Sequence, residues 1–148
     1  MAEAIVLREG EGKPLEARGS LMVFKAIAAT TGGAFSFMER RLPPGGRPPP
    51  RHIHLAAAEA FYVVEGRITF WLDEEIVDCA GGDFVLAPGG VAHSFANRGD
   101  ADARVLILHS PAMDSYFEEL HDMWSGAEPP SRAAERDLMR RHGMEPVA

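Results

Sequence analysis

The chain has 148 residues, of which 46% are apolar and 25% are charged, a balance typical of a globular domain that buries a core. The net charge of −7 disfavours nucleic acid and anionic membrane surfaces, because both select basic proteins. The single cysteine, Cys79, excludes an intrachain disulfide, and since no segment resembles a leader or a membrane span we expect a cytoplasmic protein.

Three apolar runs in the first third of the chain predict β-strands, at residues 4–8, 21–28 and 34–42. In the third run, Phe35 and Phe37 share one face, and we expect this aromatic face to point into the protein. Residues 43–50 follow with five prolines and two glycines, which predicts a stiff connection rather than a strand. The arginines beside these prolines are expected to be solvated.

A meander of short strands follows, because apolar runs recur about every ten residues and glycine-rich turns separate them. The predicted strands are 59–65, 67–72, 76–79, 84–87, 91–96 and 103–109. Gly66, Gly82 and Gly90 are interpreted as turn residues with positive φ or close contacts. This pattern predicts an all-β barrel or sandwich.

Two helices are predicted after the last strand. Helix 112–124 is expected to begin at Ser110 and Pro111 and to pack its apolar side against the outer wall of the barrel. Helix 132–142 is expected to begin at Ser131 and to end at Gly143. We therefore divide the chain into a barrel at residues 1–110 and a helical extension at 111–148 that packs on it.

Four side chains form a candidate metal site. His52 and His54 are two residues apart, so a strand would point both imidazoles to one face. Glu59 opens the next strand, and His93 follows a Pro-Gly-Gly turn. Three imidazoles and a carboxylate are a ligand set for a first-row transition metal. A lone histidine in a strand is more often structural, but here the residues occur together within a fixed pattern of glycines and prolines.

The two segments that carry these residues resemble the two sequence motifs of the cupin superfamily. The first segment matches with Gly46, His52, His54, Glu59 and Gly66, and the second with Gly82, Pro88, Gly90, His93 and Asn97. The motifs, at 46–66 and 82–97, cover about a third of the chain. The helical C-terminus also resembles, more weakly, that of single-domain quercetin-dioxygenase-like cupins.

The resemblance implies the cupin double-stranded β-helix, a jelly-roll barrel, with helices at the C-terminus. It also implies a divalent transition metal ion (Fe, Mn, Ni, Cu or Zn) held by His52, His54, Glu59 and His93. Glu59 could serve as a ligand or as a catalytic base. Strand alternation predicts an apolar substrate pocket lined by Phe61, Val63 and Phe95.

Three functions remain open, because this fold hosts many activities. The first is a dioxygenase-type oxidoreductase acting on a small organic molecule. The second is a non-oxidative metal-dependent isomerase or lyase, and the third is a protein that only binds a small molecule. We also expect a homodimer, since strand 4–8 would lie at a sheet edge that needs covering. His109 lies outside the motif spacing and is not expected to be a ligand.

Overall fold

The computed structural model describes residues 2–148, which form two antiparallel β-sheets with helices near the C-terminus. The strands are β1 (Lys13–Ala17), β2 (Ser20–Ala26), β3 (Ser36–Leu42), β4 (His52–His54), β5 (Ala58–Glu65), β6 (Arg67–Leu72), β7 (Glu75–Ala80), β8 (Phe84–Ala87), β9 (His93–Ala96), β10 (Ala103–Ser110) and β11 (Met144–Pro146). The helices are α1 (Ala28–Thr31), α2 (Asp114–Trp124) and α3 (Arg132–Arg141). No helix in residues 2–148 has the length and apolar character needed to cross a membrane.

The two sheets face each other as in a jelly roll. The six-stranded sheet has the order β1-β2-β3-β10-β5-β8, and the five-stranded sheet has the order β11-β4-β9-β6-β7. Strands that are consecutive in sequence often lie in different sheets, as β5 and β6 do, so the chain crosses repeatedly between them. The predicted all-β cupin architecture with C-terminal helices is confirmed.

Gly66 makes one of these crossings possible. Its φ is +81°, and a Cβ placed there would lie 2.7 Å from the backbone of Asp102 and of Ala103. Only glycine combines this conformation with such a close approach. The predicted turn therefore brings β5, which carries Glu59, next to the start of β6.

The core lies between the sheets and follows from strand alternation. On β5, Phe61 and Val63 are fully buried whereas Tyr62 between them is exposed. The Phe61 ring packs edge-on against Phe70 and Phe95, with centroid separations of 5.0 and 5.3 Å. Each such buried aromatic stabilises the fold by roughly 2–3 kcal/mol through burial.

The predicted strand at 4–8 is wrong. Ile5, Val6 and Leu7 have no strand partner in residues 2–148 and are between 39% and 67% exposed. The first strand is instead β1, which pairs with β2 across a tight turn. Arg18 and Gly19 both have positive φ in this turn. The strand forms there because Leu15 and Ala17 can be buried.

The expectation that the aromatic face of the third predicted strand points inward is also wrong. The buried residues of β3 are Ser36, Met38 and Arg40, each at 3% exposure or less, and Leu42 at 8%. Phe35 precedes the strand and is 37% exposed, and Phe37 is half-buried. A cationic side chain therefore enters the protein where an aromatic one was expected.

The C-terminal extension returns to the strand that carries two of the candidate ligands. Helix α2 begins at Asp114 rather than at the predicted cap, since Ser110 Oγ donates to the Ala34 carbonyl instead. Helix α3 begins as predicted, with Ser131 Oγ accepting from Ala134 N at 3.1 Å. Strand β11 was not predicted, and it pairs antiparallel with β4.

Candidate metal centre

Both sheets contribute to the candidate centre. On β4, His52 and His54 alternate with Ile53 and point to the same interior face. His93 opens β9 and is directly opposite His52 in the antiparallel register. Glu59 comes from β5 in the other sheet. The four side chains are between 1% and 4% exposed as residues, so they meet in the interior of the barrel.

The ligand atoms of these four residues converge. Glu59 Oε1 lies 3.0 Å from His54 Nε2 and 2.9 Å from His93 Nε2. His52 Nε2 lies 3.3 Å from His54 Nε2. One ligand atom from each of the four residues lies within 4.8 Å of the others. The structure thus brings together all four residues that the sequence indicated.

Backbone carbonyls fix the protonation of two of the rings. His52 Nδ1 lies 2.8 Å from the Pro50 carbonyl, and His93 Nδ1 lies 2.9 Å from the Val91 carbonyl. Each Nδ1 must donate a proton to its carbonyl, so a neutral ring presents a bare Nε2 to the centre. Histidines that hold metals commonly show this arrangement. The bare nitrogens face one another and a carboxylate, which is the donor set that a divalent transition metal ion requires.

The two histidines that are hydrogen-bonded to backbone carbonyls have pKa values shifted in opposite directions. Burial, aided by the charge of His93, lowers the pKa of His52 to about 3, although Glu59 acts in the opposite direction. Burial alone would also lower the pKa of His93, but the hydrogen bond and the negative charge of Glu59 raise it above 6.5. The His52 imidazole is therefore neutral near pH 7, whereas the Glu59 carboxylate favours the doubly protonated form of His93.

Glu59 remains ionised despite its burial. Burial by itself would raise the pKa of this carboxyl, but the charge and hydrogen bond of His109, together with hydrogen bonds from His54 and His93, hold it well below 4.5. An ionised carboxylate can bind a cation without first losing a proton. Glu59 therefore supplies a fixed negative charge at the centre.

Sequence reasoning missed the contact of His109 with this carboxylate. His109 is 2% exposed on β10, directly opposite Glu59 on β5, and its Nε2 lies 3.1 Å from Glu59 Oε2. Its Nδ1 is buried without a hydrogen-bond partner among residues 2–148. His109 thus binds one oxygen of Glu59 while His54 and His93 contact the other. The position could have been found only from the register of β5 against β10, since the motif spacing does not include it.

The centre opens into a small cavity whose wall is more polar than expected. Its volume is about 20 Å³, whereas one water molecule requires about 10–15 Å³ by the same measure. The lining includes Arg18, Arg40 and Phe95 beside the candidate ligands. Of the three predicted pocket residues, Phe95 lines this cavity, whereas Phe61 and Val63 lie in the hydrophobic core.

The C-terminal extension forms the other part of the wall. Met113, which precedes α2, and Tyr116 and Phe117 of α2 line the cavity, together with Met139 of α3 and Met144 of β11. The helix was expected to pack against the outer wall of the barrel. It does contact β1, but it also covers the centre and separates it from solvent.

Comparison with known proteins agrees with this architecture. The family Cupin domain (Cupin_2) matches residues 38–109, which contain all four candidate ligands. Quercetin 2,3-dioxygenase of Bacillus subtilis is 30% identical over 121 residues, covering 82% of this chain and 36% of that protein. The chain therefore spans about a third of the length of this relative.

Solved structures show the same fold. A sugar phosphate isomerase of the cupin superfamily from Silicibacter pomeroyi aligns with a TM-score of 0.55 at 28% identity, over 62% of this chain and 59% of that one. A predicted oxalate decarboxylase from Thermotoga maritima aligns with a TM-score of 0.63 at 26% identity, over 72% of this chain and 99% of that one. The two facing sheets, the interior histidines and these matches show that the chain belongs to the cupin superfamily.

Proposed function

We propose that this protein is a metal-dependent enzyme that acts on a small organic molecule inside the barrel, with a dioxygenase reaction as the first candidate. One observation carries the proposal. The Nε2 atoms of three buried histidines converge with an oxygen of Glu59, and two of those histidines are fixed by backbone carbonyls in the tautomer that leaves Nε2 free. A purely structural role would not require two histidines to be fixed with Nε2 free beside a third histidine and a buried carboxylate.

His52, His54, Glu59 and His93 would hold a divalent ion of Fe, Mn, Ni, Cu or Zn. A bound ion of this class supplies a Lewis acid and, if it is redox-active, a centre for reaction with dioxygen. Four protein ligands leave about two positions of an octahedral site for other molecules. His109 holds Oε2 of Glu59, so this carboxylate keeps its orientation while Oε1 faces the histidines.

The chain's own residues also limit the access of bulk water to the centre. Met113, Phe117 and Met139 form an apolar cover over the histidines. Such a cover protects reactive intermediates and strengthens electrostatic interactions within the site. The likeness to the Bacillus subtilis dioxygenase supports the oxidative reaction, and Glu59 would then act as a ligand or, on leaving the metal, as a base.

A second candidate is a non-oxidative isomerase or lyase. The small cavity and the two arginines in its wall favour a compact, charged substrate over a large flavonol. The likeness to a sugar phosphate isomerase and to a predicted oxalate decarboxylase points in the same direction. A protein that binds a small molecule without transforming it would show metal and ligand binding but no turnover.

The experiment combines metal analysis with oxygen uptake. Protein purified without chelators or a metal-binding tag should contain about one transition metal ion per chain, measured by elemental analysis. Oxygen consumption with quercetin that requires Fe, Mn, Ni or Cu supports the dioxygenase. Bound metal without oxygen uptake contradicts it, and conversion of small 2-oxo acids or sugar phosphates would then support the second candidate. A protein that binds no transition metal at all would refute both.

A further inference from the structure

Arg40 is a buried cation without an acidic partner. It lies on β3 at 3% exposure, and within residues 2–148 it forms no ion pair. Its Nε donates to Ser20 Oγ at 2.9 Å, and its guanidinium lies 5.4 Å from the centre of the Phe95 ring. These contacts use one of the five N–H groups and part of the charge. Burying a cation in this way is costly unless an anion compensates it.

The neighbouring arginine shows the contrast. Arg18 is equally buried, but its Nε donates to Glu135 Oε1 at 3.0 Å and its Nη2 donates to Tyr116 Oη at 3.2 Å. Arg47 and Arg132 also face Glu135, at 3.6 and 3.1 Å. One carboxylate is therefore shared by three arginines before Arg40 is considered. Arg18, which lines the cavity together with Arg40, therefore already shares its anionic partner with two other arginines.

The ionisation of Arg40 reflects the same imbalance. Burial lowers the pKa of Arg40 from 12.5 to about 9, and the charge of Arg18 lowers it further, whereas Tyr116 and Glu59 oppose the change. Arg40 remains charged near pH 7, so the unfavourable energy persists in the folded protein. A bound anion would relieve it.

Arg40 also borders the space that a small molecule bound at the candidate metal centre would occupy. It lines the same cavity as His52, His54 and Glu59. With Arg18 it lines a second, smaller cavity of about 10 Å³ beneath the proline-rich segment 43–50. The two cavities share Arg18, Arg40, Pro49 and Phe95. A molecule in this space would meet the ligand cluster at one end and the guanidinium at the other.

We infer that the ligand of this cavity is a small organic carboxylate whose carboxylate group pairs with Arg40. The planar guanidinium matches a carboxylate with two parallel hydrogen bonds, and such charged pairs are among the strongest hydrogen bonds in proteins. The limited volume favours an acid of few carbon atoms. That a second oxygen of the ligand faces His52, His54, Glu59 and His93 rests on the metal site proposed above, but the pairing with Arg40 does not require the metal.

The test measures anion binding to the metal-free protein, so that it is independent of the metal. Calorimetric titration with pyruvate at pH 7.5 should show saturable binding, and pyruvamide, its neutral analogue of the same shape, should bind at least about tenfold more weakly. This comparison uses the unaltered chain and needs no variant. Equal binding of pyruvate and pyruvamide, or no binding of either, would overturn the inference.

Variants on one strand then locate the charge. Arg40→Met should weaken pyruvate binding about tenfold or more, and Arg40→Lys should retain part of it, since it keeps the charge but not the planar fork. Arg41→Met is the matched control, because Arg41 is the next residue of β3, points outward and is 54% exposed. Unchanged binding in a folded Arg40→Met variant would overturn the assignment, and so would phosphate binding more tightly than pyruvate at the same residue.

Metal affinity, measured separately by chelator competition, distinguishes the proposed metal-dependent enzyme from the proposed carboxylate site at Arg40. Pyruvate binding that depends on Arg40 in a protein with no affinity for transition metals would refute the proposed enzyme and leave this inference standing. Tight metal binding with no preference for pyruvate over pyruvamide would do the reverse.

Discussion

Removing the charge of Glu135 should destabilise the protein, because this carboxylate compensates a buried arginine. Glu135 is fully buried on α3, and its Oε1 accepts from Arg18 Nε and from Trp124 Nε1, each at 3.0 Å. Its Oε2 accepts from Arg132 at 3.1 Å. These contacts join α3 to α2 and to the β1–β2 turn, so they fix the extension that covers the cavity.

The expected loss for Glu135→Gln follows from the exposure of its partners. The side chains of Arg132 and Arg47 are 37% and 30% exposed and can turn towards water. The Arg18 side chain is only 2% exposed and would remain as an uncompensated buried cation. Breaking a buried ion pair costs about 3–5 kcal/mol, and we expect about 3 kcal/mol, since glutamine still accepts one hydrogen bond.

Urea denaturation of the metal-free protein, followed by tryptophan fluorescence, measures this difference in the free energy of unfolding. Asp137→Asn is the matched control, since Asp137 lies on the same helix with a 68% exposed side chain and, among residues 2–148, forms an ion pair only with Arg140 on the surface. Its loss should be below about 1 kcal/mol. A Glu135→Gln loss below about 1 kcal/mol, or equal to that of the control, would refute the reasoning.

Two further predictions concern metal binding and assembly. His52→Ala and His93→Ala should each lose most of the metal, as measured by elemental analysis. Glu59→Gln should lose less, because an amide oxygen can still coordinate the ion. Full metal occupancy in a His52→Ala/His54→Ala variant would contradict the ligand assignment. A homodimer is expected, since apolar side chains remain exposed on the edge strand β8 and on neighbouring β5. Phe84→Lys should shift light scattering towards the monomer, and a monomeric wild-type protein at high micromolar concentration would refute the expectation.

The residues of the candidate centre could be predicted because local rules determine their directions. The spacing of His52 and His54 places both on one face of any strand, whichever sheet that strand joins. Positive φ at Gly66 and Gly90 turns the chain before Arg67 and His93, as their positions in the motifs imply. The resemblance then indicated that these strands converge, which spacing alone does not show.

The positions of His109 and Arg40 could not be predicted, because they depend on how distant strands pair and pack rather than on local spacing. His109 contacts Glu59 only because β10 pairs with β5 in one particular register, 50 residues apart in sequence. Arg40 and Phe37 lie on opposite faces of β3, and choosing the inner face requires knowledge of what lies on either side. Hydrophobicity favoured the aromatic face, whereas the structure buries the arginine beside the candidate centre.

The position of the C-terminal segment also depends on contacts between residues that are distant in sequence. Periodicity predicted α2 and α3, but it could not show that Met139 and Met144 reach the cavity. That placement depends on the pairing of β11 with β4, in which Met144 is opposite His54. The segment thus pairs directly with the strand that carries two of the candidate ligands, and its methionines line the cavity beside them.

The sequence and the structure lead to different predictions for the pH dependence of metal affinity. From sequence, the three histidines share one reference pKa of about 6.5, so affinity should fall below about pH 6 with more than one proton taken up per metal released. In the structure, the pKa of His52 is lowered to about 3 and that of Glu59 lies well below 4.5. Protons therefore do not compete with metal for either residue above pH 5. The pKa of His93 is raised above 6.5, so this proton must be displaced by metal at any lower pH. Affinity should therefore begin to fall above pH 6.5, and these three residues should contribute only about one proton, or about tenfold in affinity per pH unit. Chelator competition between about pH 5 and 8 measures the slope, with His121→Ala, a surface histidine that contacts Glu16, as the control. An affinity that stays constant from pH 7.5 down to 6 would show that His93 does not hold the ion.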